Sequence, residues 1–85
     1  MRKEIKKAFN LGTIEHLSGF DKTGNQVWLS QEFDLFVVEG NGRKGFKTFD
    51  GAFNFFNKNT KGMEIEVTLQ DFDVVDIDYF ISMMH

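Results

Sequence analysis

Phe49, Ala52, Phe53 and Phe56 recur at i, i+3, i+4 and i+7, the spacing of a single apolar stripe along an α-helix. A stripe of this bulk must be covered. Each buried aromatic ring removes roughly 150–250 Å² from water, at about 25 cal/mol per Å². The neighbours that the sequence offers are strands. Met63, Ile65, Val67 and Leu69 alternate with Glu64, Glu66 and Thr68, which predicts a strand with one dry and one wet face. Upstream, Asp21-Lys22-Thr23-Gly24-Asn25 carries turn chemistry between two β-rich runs, and predicts a hairpin joining 13–20 to 25–30. Phe33 to Glu39 is β-rich again, Gly40-Asn41-Gly42-Arg43-Lys44-Gly45 reads as a turn, and Phe46-Lys47-Thr48 returns.

These elements predict an α+β fold: a small antiparallel sheet of about four to five strands, a meander in its first part, packed against one main helix. That helix is expected over 49–59, capped by Thr48 or Asp50. Short helices are expected at both ends of the chain. Ile5, Ala8, Phe9 and Gly12 have helical spacing, and a helix ending near Gly12 follows. In the last stretch Val74, Ile77, Phe80, Ile81 and Met84 fit a helix, while Val75, Ile77, Tyr79 and Ile81 alternate as a strand does. The helix is preferred, over 73–83, with Asp71 or Asp73 as its cap.

Eighty-five residues suit one domain, 1–85, without linker or repeat. The 11 Phe residues let so short a chain build a core without staples. Cysteine is absent, which removes disulfides, thiolate zinc sites and cysteine nucleophiles, and points to a cytoplasmic setting. The basic first residues are not followed by an apolar run of signal-peptide length, and nothing approaches a membrane span. No membrane association is expected.

Charge is distributed in blocks. Residues 1–11 carry a net of +3, 12–42 a net of −4, 43–61 a net of +4 and 62–85 a net of −6, giving −3 overall. Two arrangements follow: the blocks neutralise one another in the fold, or they leave acidic and basic faces that steer partners.

Motifs for chemistry fail on inspection. Asp71-Phe72-Asp73 opens like a calcium loop, but the later ligand positions hold Val75, Asp76 and Ser82. Gly40 and Gly45 have the spacing of a phosphate-binding loop, yet Phe46 and Lys47 replace its Lys and Ser/Thr. His16 and His85 are too few for a histidine metal site, and no nucleophile–base pair has a diagnostic spacing. His16 is expected as a surface imidazole and Trp28 at the edge of the core. No catalytic residue, metal or cofactor is expected, and the chain reads as a non-enzyme.

What remains is surface. Glu64, Glu66, Asp71, Asp73, Asp76 and Asp78 form an acidic set with no Lys or Arg after Lys61. Such a set competes with phosphates for the Lys and Arg of a nucleic-acid-binding protein. The leading expectation is a small interaction protein that inhibits or regulates such a partner, of the kind phages and mobile elements use against host defences. The alternative is direct nucleic-acid binding through Arg43, Lys44, Phe46, Lys47, Phe55, Lys58 and Lys61, with phosphates on the cations and bases stacked on the rings. Self-association into a homo-oligomer is compatible with either.

Overall fold

The computed structural model describes residues 2–60 and 64–84. The chain runs α1 (Arg2–Leu11), β1 (Ile14–Phe20), β2 (Gln26–Glu32), β3 (Leu35–Gly40), β4 (Gly42–Phe46), α2 (Phe49–Thr60), β5 (Glu66–Leu69), β6 (Val74–Asp76) and α3 (Ile77–Met83). The α+β reading holds. The sheet is antiparallel throughout and has six strands, one beyond the expected upper count, in the order β4-β3-β2-β1-β5-β6.

Strand alternation divides the sheet into two faces. Leu17, Leu29, Val38 and Val67 occupy adjoining register positions and join one buried cluster with Ile5, Phe9, Phe53, Phe56 and Phe80. All three helices therefore cover the same face, and the molecule has two layers. Phe9, Phe36 and Phe49 meet edge-on or tilted, with centroids 5.7–5.9 Å apart, and Phe49 stacks on Phe53 at 5.2 Å. These geometries add to the area that the rings bury. A shift in the β1–β5 register between Ile14 and His16 lets Ile14 and Leu17 both reach the core in spite of their odd spacing.

Helix α2 lies across β4, β3 and β2, and its end lies against β1. A Cβ at Gly19 would sit 2.8 Å from Ile65 Cδ1 and 3.1 Å from Thr60 Cγ2, so glycine permits that approach. Thr60 is fully buried and donates its hydroxyl to the Phe56 carbonyl at 2.9 Å. Thr48, not Asp50, caps the helix: its Oγ1 accepts from the Gly51 N–H at 3.1 Å.

Three local expectations are corrected. The Gly40–Gly45 turn is much tighter than its composition suggests. Gly40 pairs with Gly42 across Asn41, and Gly42 through Phe46 is already strand β4. Gly42 makes this feasible with φ +119°. The 73–83 helix begins later, because Val74–Asp76 pair with β5 as a sixth strand. Its cap is Asp76, whose side chain accepts from the Asp78 N–H at 2.8 Å, while Asp71 and Asp73 lie in the turn before β6. Met63 and His85 lie outside the described residues, as does Lys61.

Among the described residues, the second face carries no helix. His16, Ser18, Trp28, Ser30, Val37 and Thr68 point there by alternation, and Trp28 and His16 are half-buried. Trp28 thus lies on the face opposite the core, flanked in sequence by inward-facing Val27 and Leu29.

Candidate functional site

The two edge strands differ in charge. Strand β4 contributes Arg43 and Lys44, and β6 contributes Asp76, with Asp71 and Asp73 before it and Asp78 after it. The structure brings the acidic set onto one edge without making it converge. Glu66 and Asp76 are directly paired across β5 and β6. Asp71 and Asp73 sit at one end of the three-residue strand, and Asp76 and Asp78 at the other, about 10 Å away at ordinary strand rise. Glu64 precedes β5 and is exposed. Among the described residues none of these six carboxylates forms an ion pair, and no three His, Cys, Asp or Glu side chains are grouped to hold a metal.

The basic block is distributed differently. Arg43 points to the open face, where its guanidinium meets Glu32 at 2.6 Å and Glu39 at 3.2 Å. Those acids flank Val37 on the same face, so the arginine spans it, and Val37 is 3% exposed. The Arg43 guanidinium, through its hydrogen bond, holds the Glu32 carboxyl below the usual carboxylate range, and the pair raises Arg43 in turn. Lys44 points to the helix face. Its Nζ lies 5.3 Å from the Phe46 ring centroid and 4.9 Å from that of Phe55, and the two rings are 5.3 Å apart. Lys47 and Lys58 are exposed. Of the seven residues expected to bind nucleic acid, Lys44, Phe46 and Phe55 are brought into contact, Arg43 is turned to the other face, and Lys61 lies outside the described residues.

Arg2 ties the first block to the third. It ion-pairs with Asp50 at 3.7 Å, donates to Asn54 Oδ1, and lies 5.4 Å from the Phe53 centroid. Charge neutralisation thus operates among the first three blocks, and among the described residues the C-terminal acids take no part in it.

Sequence reasoning missed a cleft at one end of the sheet. The β1–β2 turn, the β3–β4 turn and the end of α2 enclose two adjoining hollows of about 300 and 490 Å³. Val27, Val38, Arg43 and Lys44 line the smaller hollow, Lys22 and Lys58 line the larger, and Phe55 and Asp21 line both. The β1–β2 turn is held by Asp21, whose Oδ1 accepts from the Thr23 hydroxyl at 2.6 Å and from the Thr23 and Asn25 N–H groups at 2.9 Å. The Thr23 hydroxyl first, then the Asn25 N–H, keep the Asp21 carboxyl below its ordinary range. A meander brings alternate turns to the same end, and that is the only sequence signal for the cleft.

Two exposed aromatics at the opposite end were missed as well. Phe33 in the β2–β3 turn is 99% exposed with φ +57°, and Phe72 in the β5–β6 turn is 72% exposed with φ +68°.

Compared with protein-family models, with curated proteins and with solved structures, the chain matches none.

Proposed function

We propose that the chain is a non-enzymatic interaction protein whose β5–β6–α3 edge binds a basic, nucleic-acid-binding protein and inhibits or regulates it. One observation carries the reading: among the described residues, Glu64, Glu66, Asp71, Asp73, Asp76 and Asp78 have no ion-pair partner while the acids facing Arg43 do. Opposed carboxylates such as Glu66 and Asp76 cost stability in an isolated sheet. A row of lysines and arginines on a partner would relieve that cost and would speed encounter.

Direct nucleic-acid binding is less well supported. Arg43 is committed to two acids, and Lys44 is held against the Phe46 and Phe55 rings.

The test is affinity capture from the host lysate with the wild type and with Asp73→Lys/Asp76→Lys/Asp78→Lys. Retention of one nucleic-acid-handling protein by the wild type, lost in the variant, is expected. Equal retention by both, or salt-released nucleic acid in its place, would overturn the reading.

A further inference from the structure

Phe33 and Phe72 sit where the turn chemistry asks for other residues. Glu32 pairs with Leu35, so Phe33 and Asp34 form a two-residue hairpin turn with positive φ at its first position, a place that takes glycine. In the β5–β6 turn the Leu69 carbonyl accepts from Phe72 N–H at 2.9 Å, and Leu69 N–H donates to the Asp73 carbonyl at 2.8 Å. That is a tight turn closed by a left-handed residue, for which glycine or asparagine is preferred. A bulky side chain in this region is an outlier. Folding gains nothing from the Phe33 ring in return and little from that of Phe72, since both project into solvent.

The two tips lie at the end of the sheet opposite the cleft, as the strand directions require. Their surroundings differ. Among the described residues, Phe33 lies between Glu32, which Arg43 neutralises, and the single unpaired acid Asp34, whereas both neighbours of Phe72, Asp71 and Asp73, have no ion pair. The Asp71 Oδ1 accepts from the Asp73 N–H at 3.1 Å and stiffens the turn. Phe72 is therefore a rigid apolar plug with an anionic collar. The cleft at the far end has the complementary form: Val27, Val38 and Phe55 line it, and its cations Lys22, Arg43, Lys44 and Lys58 outnumber its one carboxylate, Asp21, which is already engaged within its own turn. None of these three lysines forms an ion pair among the described residues.

We propose that the chain associates with itself head to tail, Phe72 of one copy entering the Val27–Val38–Phe55 cleft of the next. The Asp71 and Asp73 collar then meets Lys22, Lys44 and Lys58. A tip-to-tip arrangement would oppose carboxylates, so the contact is heterologous and extends into a chain of copies. An interface of one plug and its collar is small, and its affinity falls in the weak, salt-sensitive range.

Sedimentation equilibrium between about 0.01 and 1 mM protein, at low and at high ionic strength, tests this. The wild-type mass is expected to rise with concentration at low salt and to fall to the monomer at high salt. Phe72→Gly is expected to melt a few degrees higher than the wild type, yet to remain monomeric. Phe33→Gly is expected to gain stability as well and to associate like the wild type. Lys44→Glu/Lys58→Glu reverses two charges of the cleft so that it repels the collar, and is expected to be monomeric. Lys22→Glu/Lys58→Glu serves if the loss of Lys44 from its rings impairs folding. Mixing Phe72→Gly with either cleft variant leaves one working plug and one working cleft, and a 1:1 dimer is expected.

A wild type that stays monomeric at about 1 mM and low salt would overturn the proposal. So would association of Phe72→Gly at wild-type strength, or a mixture that stays monomeric. Asp76→Lys/Asp78→Lys separates this proposal from the acidic-edge reading: it is expected to lose the captured partner and to keep self-association.

Discussion

The two edges of the sheet use charge in opposite ways. At β4, Arg43 is held by Glu32 and Glu39, and Lys44 lies over Phe46 and Phe55. At β6, Glu66 faces Asp76 and no cation among the described residues answers either. Both edges are protected from unwanted strand pairing, since charged and short edge strands resist it. Edge protection therefore does not explain the difference. The β4 charges also serve the fold, whereas at β6 the Glu66–Asp76 pairing opposes it even though Asp76 caps α3, and a surface that leaves like charges opposed is the better candidate for a partner.

Phe55→Ala should break the β4 side most strongly. Its ring is half-buried against the core and meets both Phe46 and the Lys44 ammonium. Full burial of a phenylalanine makes such a truncation cost about 3–5 kcal/mol, and partial exposure reduces this to about 2–3 kcal/mol. Urea unfolding measures it. A loss under 1 kcal/mol would mean that Lys44 and its rings contribute little and that this edge is as loosely built as β6.

The parts of the fold legible in the sequence are those where local and tertiary preferences agree. The Phe49–Phe56 stripe is a buried helix face, and Asp21 with Gly24 makes the expected turn. The unread parts are conflicts. Gly42 to Gly45 look like loop and form a strand because β3 supplies their hydrogen-bond partners. Phe72 occupies a left-handed turn position with nothing in its type to announce a turn, so the residues from Asp73 onward read as helix and β6 was passed over. Phe33 concealed the β2–β3 turn in the same way. As for the candidate site, its carboxylates are legible in the sequence as an acidic set, but their division between the two ends of β6 depends on that unread turn. The cleft depends on which turns share an end of the sheet, a property of topology that no short stretch encodes. Conflicts of this kind collect where a chain serves something besides its own stability.

The β6 edge can be altered in either direction. Asp76 has two roles, as helix cap and as the opposed partner of Glu66. Asp76→Ala removes the cap and should cost about 1 kcal/mol. Asp76→Asn keeps a capping oxygen and removes the repulsion, so it should be neutral or stabilising. Glu66→Lys converts a like-charged cross-strand pair into an opposite one and should stabilise by about 0.2–1 kcal/mol, an effect that salt reduces. Thermal unfolding at low and high salt reads all three. If Glu66→Lys destabilises, the β6 acids are engaged in the isolated chain and the contrast between the edges is lost.

The smallest effect concerns pH at β4. Arg43 stays protonated throughout, and its hydrogen bond holds the Glu32 carboxyl below the usual carboxylate range in the folded chain. The unfolded chain binds that proton more readily. The stabilisation is therefore complete above the ordinary carboxylate range and is lost as the pH falls through the lower, folded-state value. Glu32 and Arg43 are exposed enough for solvent to screen much of the gain. A Glu32→Gln variant should lose less stability than the wild type between about pH 5 and pH 2, and high salt should narrow the gap. Asp21→Asn provides the control, since that carboxyl is lowered by the Thr23 hydroxyl and the Asn25 N–H without any cation, and its share should persist in salt. Identical acid slopes for the wild type and Glu32→Gln would show that the ion pair at β4 contributes nothing, and the claim that one edge uses its charges for the fold would fall with it.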